Sequence, residues 1–491
     1  MNKKRMLSLL FSALAAGCFS LVFYSFNTPL GASLGSDNAI YLTMGTALAR
    51  GYSPYTEIFD HKGPLLFLIQ WLPQALSGGY STLAVFLQEA LVLFCCLRVL
   101  TAIAGRLLAP EGPVQLVYLA LLCAITGGGN LTEEYTALPT LLGLLLILRV
   151  FDAPLEELPA DGRALLRSAF LLGLCCAGCF LVRANNALPL CAFTAGLSLC
   201  LLLSRRFAAL GRCAAGFLVG FAAALLPVVC WLALHGALGA AFYGAIVHNL
   251  LYAETGDTGR VYMLLHSAYG HLALGTLALA CAGALTRLRR APAFAFSMLL
   301  AALAGLYAAF ISHKFYQHYL MIAVPAAALG AALLLGCLFR PRLRRGVSLA
   351  LCLLCLGVLA VQGKTTNDGR LAARADLPAF TADAQRLYGE VPEAERGRFM
   401  AYRVEPRWYA VTGALPCMRF YFLQETLAQA NPAVMDEIVE TFQTDPPLWL
   451  VIYYNRAFSP PYDPRVAEIF RTRYAFVEAA GEYQLLRLVT P

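Results

Sequence analysis

The chain has 491 residues, 59% of them hydrophobic and only 13% charged, with 37 Lys and Arg against 29 Asp and Glu for a formal net charge of +8. Soluble domains carry roughly a quarter charged residues, so this composition excludes a soluble globule. Long apolar runs flanked by basic clusters describe a polytopic α-helical membrane protein embedded in a lipid bilayer, with no nucleic-acid partner expected.

The opening Met1-Asn-Lys-Lys-Arg5 is followed by an apolar run over 6–28. It continues past Cys18 to Phe26, long enough for a span of about 20 residues, and reads as an uncleaved first helix, not a signal peptide. Further apolar segments fall at 65–77, 81–108, 113–127, 137–151, 164–182, 187–204, 212–235, 263–285, 292–311, 317–339 and 346–362. Positive charge collects at Lys3–Arg5, at Arg98 with Arg106, at Arg205–Arg206 with Arg212, at Arg287–Arg290 and at Arg340–Arg345.

Those clusters decide which segments cross, because basic loops stay on the cytoplasmic side. If 65–77 crosses, every cluster after the first falls outside; if it does not, all five fall inside. The segment is short, contains Pro73 and carries Gln70 and Gln74, which suits a helix in the outer interface. About eleven spans remain in a multi-pass plasma-membrane protein with a cytoplasmic amino terminus. The expected outer connections are 29–80, 128–136, 183–186, 236–262, 312–316 and everything after 362.

Sixteen cysteines occur, fifteen of them in or beside apolar stretches. The CxxC spacings at Cys176–Cys179 and Cys352–Cys355 lie inside leucine-rich helix without a second pair or histidine to complete a metal site, so they read as small packing residues. Beyond Gln362 charge becomes dense. Arg398–Arg403 and Trp449–Tyr454 have strand patterns, and Ala433–Phe442 and Pro464–Arg473 have helical ones. The expected organisation is a transmembrane domain over 1–362 and a small extracytoplasmic α/β domain over 363–491.

Chemistry concentrates in the polar stretch Leu34–Pro64, far longer than an ordinary connection of a handful of residues. It holds Asp37, Tyr55, Asp60, His61 and Lys62. The other outer connections supply Glu133, Glu134, His248, Arg260, His313, Lys314 and His318. Carboxylates, cations and histidines gathered at one end of many spans are what a site at the outer membrane face requires. Asp37 suits a general base within reach of a nucleophile, and Ser36-Asp37 equally suits a helix cap. Glu133 and Glu134 point about 100° apart on a helix, so they cannot share one role. Asp60, His61 and His248 are compatible with a divalent cation, yet no ligand spacing fixes a geometry, and no metal or other cofactor is assigned.

An acid shortly after the first span, then Gly51-Tyr-Ser-Pro-Tyr55 and Phe59-Asp-His-Lys-Gly-Pro64, resembles the first outer loop of the GT-C glycosyltransferases, integral-membrane enzymes that use polyprenyl-phosphate sugars. Within that superfamily it is similar to the bacterial branch of protein mannosyltransferases and aminoarabinose transferases. Gly129-Asn-Leu-Thr-Glu-Glu-Tyr135 falls where the family has its second acidic loop, with glutamates in place of the usual aspartate. His313-Lys-Phe-Tyr-Gln-His-Tyr319 is similar to a late His-Tyr motif. The resemblance implies a GT-C fold and a polyprenyl-phosphate sugar donor. It also implies Asp37 as base, with Glu133 or Glu134 assisting, and Lys62, Arg260 and Lys314 as phosphate-binding cations. Tyr55, Asp60, His61, His248, His313 and His318 would line the substrate site. The acceptor, an envelope glycan, lipid or protein hydroxyl, is not legible. A lipid-linked glycan transporter is the competing class; it would place charges mid-span, not at one face.

Overall fold

The structure is a computed structural model that describes residues 3–158, 162–254, 259–312, 316–338, 340–453 and 462–489. In chain order the helices are α1 (Lys3–Phe23), α2 (Ser36–Ala49), α3 (Pro64–Ser77), α4 (Thr82–Arg106), α5 (Glu111–Cys123), α6 (Thr132–Phe151), α7 (Gly162–Val182), α8 (Leu188–Leu203) and α9 (Phe207–Leu234). There follow α10 (Leu238–Phe242), α11 (Asn249–Glu254), α12 (Arg260–His266), α13 (Ala268–Leu285), α14 (Pro292–Phe310), α15 (Val324–Gly336) and α16 (Pro341–Arg374). The carboxyl-terminal part adds α17 (Leu377–Gly389), α18 (Arg407–Thr412), α19 (Gln424–Ala430), α20 (Ala433–Thr444) and α21 (Pro464–Arg473).

Among the described residues, ten helices are long and apolar enough to cross a membrane, and the protein is a multi-pass membrane protein. They coincide with ten of the eleven expected spans. The eleventh, 113–127, corresponds to α5, whose 13 residues are shorter than a full crossing. Segment 65–77 is the separate 14-residue helix α3, opened by Gly63-Pro64 and closed by Gly78 in the left-handed conformation, as Pro at the first position and Gly past the last would dictate.

The chain forms two compact units. The first comprises Met1–Thr28, Phe86–Trp231 and Gly256–Asn367, and the second Pro29–Val85, Leu232–Thr255 and Asp368–Pro491.

In the first unit the apolar core is shared by α4, α5, α6, α8, α14 and α15. The glycine pair at Gly216 and Gly220 on α9 packs against the backbone of α7, where an added Cβ would collide with the carbonyls of Leu166 and Phe170. Without a solvent-driven hydrophobic effect between spans, close backbone approach is what holds such helices together.

In the second unit α2 packs on α3, with Gly45 against the Gln70 backbone. Its sheet has strands β1 (Phe399–Tyr402), β2 (Trp449–Tyr453), β3 (Tyr474–Ala480) and β4 (Tyr483–Leu488). Their order is β1-β2-β4-β3, with β1 parallel to β2 and the other pairs antiparallel. Strands β1 and β2 and helices α20 and α21 fall where alternation and amphipathic spacing predict them, while β3 and β4 carry no such prediction.

Candidate active site

Six of the expected site residues lie in the second unit. The loop after Tyr52 is shaped by Tyr55, which adopts a left-handed backbone (φ +62°) and donates its N–H to the Ile58 carbonyl at 2.8 Å. A bulky residue holds that conformation only when its surroundings enforce it. Here the Tyr55 ring is fully buried against Phe67, and its hydroxyl donates to the Lys62 carbonyl at 2.6 Å. The turn thereby presents Asp60, His61 and Lys62 together.

Asp60 is fully buried. Its Oδ1 accepts the Lys62 backbone N–H at 2.7 Å and lies 3.5 Å from the Lys62 ammonium. That ammonium is 3.0 Å from His61 Nε2 and 5.7 Å from the centre of the Tyr41 ring. An ammonium can only donate, so Nε2 accepts and the imidazole proton sits on Nδ1, 4.0 Å from Asp60. Burial pushes the Asp60 carboxyl above its ordinary range; Lys62 opposes this, and the charge of Asp37 adds to it.

His248 ends a π-helical turn, Tyr243–His248, an irregularity that recurs at functional sites. Its ring lies 5.5 Å from that of His61 and 6.0 Å from that of Phe59. Burial, followed by the Lys62 cation, lowers its pKa to about 4, so the imidazole is neutral at physiological pH. Next to it, Asn249 donates to the carbonyls of His61 at 2.6 Å and Ala245 at 3.0 Å. Gly244 lies so close that an added Cβ would stand 3.0 Å from Tyr55 and 3.1 Å from Phe59.

Asp37 is the second residue of α2. The helix is capped by Gly35 without a side-chain hydrogen bond, so the capping role open to Ser36-Asp37 is not taken. Among the described residues, no hydrogen bond or ion pair engages its carboxylate.

Arg419, which sequence reasoning passed over, clamps the same turn. It donates to the Tyr55 carbonyl at 2.7 Å and makes two bonds to the Glu437 carboxylate at 3.0 and 2.9 Å. Its own carbonyl accepts the Phe59 N–H at 3.1 Å, and its guanidinium lies over the Phe59 ring.

Glu133, Glu134 and His318 belong to the first unit. Glu134 is occupied locally: it accepts from the Thr126 hydroxyl at 2.6 Å and from the Leu131 N–H at 3.3 Å, closing the start of α6. Glu133 points elsewhere, 2.9 Å from the buried Arg183 guanidinium. Arg183 in turn lies over Tyr319, 4.4 Å from its ring centre, and His318 meets Tyr319 edge-on at 4.7 Å. A further buried acid, Glu89, accepts from Asn27 at 3.0 Å and from the Asn130 N–H. A single glutamate within a 25-residue apolar helix offered little signal. Arg260 opens α12, but its side chain lies outside the described residues, as do His313 and Lys314. Among the described residues, no group of three or more His, Cys, Asp or Glu is arranged to hold a metal.

No family model matches the chain, and no curated protein matches its sequence. Solved structures do match over nearly its whole length. ArnT from Cupriavidus metallidurans bound to undecaprenyl phosphate aligns with a TM-score of 0.63 at 15% identity, covering 100% of this chain and 99% of that one. Apo ArnT from the same organism aligns with a TM-score of 0.60 at 12% identity, over 99% of each chain. The apo oligosaccharyltransferase of Archaeoglobus fulgidus aligns at 0.51 and 10% identity, over 92% of this chain and 70% of that one. The chain therefore has the GT-C fold shared by these structures, with a small carboxyl-terminal sheet domain.

Proposed function

We propose that this protein is a membrane glycosyltransferase that moves a sugar from a polyprenyl-phosphate donor to an acceptor hydroxyl at the outer membrane face, with inversion at the anomeric carbon. The observation that carries the reading is the set of groups in the second unit: an Asp37 carboxylate with no hydrogen bond or ion pair among the described residues, whose charge is felt by Asp60, itself 3.5 Å from the Lys62 ammonium. The GT-C fold and the undecaprenyl phosphate held by ArnT support a lipid-phosphate donor.

In this mechanism Asp37 takes the proton from the acceptor hydroxyl, and the oxygen attacks the anomeric carbon from the face opposite the phosphate. The bond from carbon to phosphate oxygen breaks with its electron pair leaving on the lipid phosphate, whose charge the Lys62 ammonium stabilises. Asp60 and His61 hold that ammonium in place. His248, 5.5 Å from the His61 ring, lines the same site. The amino terminus is cytoplasmic and residues 363–491 form the extracytoplasmic domain, with α5 and its flanking residues counted as the eleventh crossing.

Purified protein supplied with labelled undecaprenyl-phosphate sugars tests this directly. Transfer should occur and fall at least 100-fold in Asp37→Asn, with an unchanged thermal unfolding midpoint, in line with the loss of a general base. Transfer that survives Asp37→Asn would overturn the assignment of the base. Lipid translocation without transfer would replace the enzyme with a transporter.

A further inference from the structure

The second unit holds an open cleft of about 620 Å³ that the transfer chemistry does not use. One wall is made by the carboxyl ends of α2 and α3 and the residues that follow them (Arg50, Tyr52, Tyr80), the other by the turn before β1 (Arg396, Gly397) and the segment after α18. The Tyr80 hydroxyl donates to the Ala414 carbonyl at 2.9 Å and ties the two walls together. Arg50 lies thirteen residues along α2 from Asp37, about 20 Å at the rise of a helix, so the cleft stands apart from the groups assigned to transfer.

The lining is polar. Among the described residues, Leu415 is its one aliphatic side chain and no Asp or Glu lines it, so an apolar ligand would gain little there. Its two cations are uncommitted. Arg50 makes one long hydrogen bond, from Nη2 to the Gly78 carbonyl at 3.5 Å. Arg396 donates only its Nε, to the Val391 carbonyl at 3.3 Å, with the guanidinium 5.0 Å from the centre of the Tyr388 ring. Neither has a carboxylate partner among the described residues, whereas Arg403, Arg407 and Arg419 in the same unit each hold one. Glu395, next to Arg396 in sequence, is turned to the Trp449 indole at 2.6 Å and to Arg487.

Two further groups in the wall lack a partner. Thr46 is only 3% exposed, and its hydroxyl meets no hydrogen-bonding group among the described residues; the Tyr52 hydroxyl has none either. A buried hydroxyl is left unmatched at a cost that a ligand would remove. The carbonyls that end α2 and α3, which would repel an anion, are already taken: the Tyr52 N–H donates to Ala47 at 3.0 Å, the Gly79 N–H to Gln74 at 3.0 Å and the Ser77 hydroxyl to Pro73 at 2.8 Å.

We propose that this cleft binds a sugar unit that carries a phosphate or carboxylate group. Arg50 and Arg396 receive the anion through charge-assisted N–H donors. The Thr46 and Tyr52 hydroxyls meet the ring hydroxyls, and the Tyr52 ring offers an apolar body for one face of the sugar. The volume is far more than an inorganic anion needs and lies within the range of small-molecule sites, about 300–1,000 Å³.

The test uses the full chain in detergent, with calorimetric titration of glucose 6-phosphate, glucuronate, glucose and inorganic phosphate. Binding is read without transfer, so the result does not depend on the role of Asp37. Glucose 6-phosphate and glucuronate should each bind at least tenfold more tightly than glucose, and glucose 6-phosphate at least tenfold more tightly than inorganic phosphate. Raising the salt concentration on the unmodified protein should weaken the anionic sugars alone, a readout that needs no variant to fold. Arg50→Gln/Arg396→Gln should bring them to the level of glucose. Gly397→Phe should abolish binding by filling the cleft, since an added Cβ there meets nothing within 4 Å. Equal binding of glucose and glucose 6-phosphate, inorganic phosphate bound as tightly as the sugar phosphate, or an arginine double variant that keeps the preference would each overturn the proposal. So would displacement of glucose 6-phosphate by phosphatidylglycerol, which would make the cleft a lipid-headgroup site.

Discussion

Asn249 donates a hydrogen bond to the main-chain carbonyl of His61 at 2.6 Å, across 188 residues of sequence. The same amide also bonds the Ala245 carbonyl. One side chain thereby ties the π-helical turn that ends at His248 to the turn that carries Asp60 and Lys62. The contact adds to the local bonds that shape each segment, Tyr55 N–H to Ile58 in one and Asn249 to Ala245 in the other.

Asn249→Ala leaves those carbonyls without their donor. Unmet buried polar groups cost about 1–3 kcal/mol each, so a drop in thermal unfolding midpoint is expected together with lower transfer activity. Asn249→Asp, which cannot donate, should be at least as harmful. An alanine variant as stable and active as the parent would show that the contact positions nothing.

His248 sets a pH dependence. Its folded pKa lies at about 4, below its ordinary 6.5, so the neutral form is what the fold accommodates. Its contribution to stability is complete above pH 6.5 and is lost as pH falls toward 4. The whole effect is on the order of 3 kcal/mol. Denaturant unfolding from pH 7 to pH 4 should show this loss, and His248→Phe, among the rings of Phe59, Tyr243 and His61, should flatten that part of the profile. An unchanged slope in the variant would assign the acid sensitivity to other groups.

Arg419 holds the Tyr55 carbonyl and the Glu437 carboxylate at once. Arg419→Ala should release the Tyr55–Phe59 turn, seen as faster amide exchange over residues 55–62 and a several-fold fall in transfer rate. Arg419→Lys, which cannot reproduce the planar fork, should recover only part. Exchange in that segment at the parental rate would place the strain of Tyr55 under other control.

The Glu133–Arg183 pair in the first unit is buried on both sides. Removing either partner strands a charge, so Glu133→Ala and Arg183→Leu should each destabilise by roughly 3–5 kcal/mol. The double variant should cost less than the sum of the two. Glu134→Gln should be milder in stability than Glu133→Ala because its amide oxygen still accepts from Thr126. Additive single effects would mean that the two groups do not depend on each other.

The spans were legible because crossing a bilayer is a local demand: about twenty apolar residues in sequence suffice, and α4, α6, α7 and α14 meet it on their own. The separation of α3 followed from Pro73 and the arrangement of basic clusters, and the strands β1 and β2 from their apolar runs. Glu89 was not legible, since one acid in a long apolar helix differs from its neighbours by a single letter. Nor was the clamp by Arg419, whose partners Tyr55 and Phe59 lie more than 350 residues away in sequence.

By itself the sequence determined that this is a many-spanning helical membrane protein, that a sheet domain follows, and that the polar chemistry collects in the first long loop. Tertiary structure alone decided how that chemistry is partnered. It left Asp37 without a partner among the described residues, gave Asp60 to Lys62, spent Glu134 on the start of α6 and paired Glu133 with Arg183. Hydrophobic length and turn propensity act over neighbouring residues, so they can be read along the chain. A buried charge acquires its role from whichever distant segment the fold brings within about 3 Å of it.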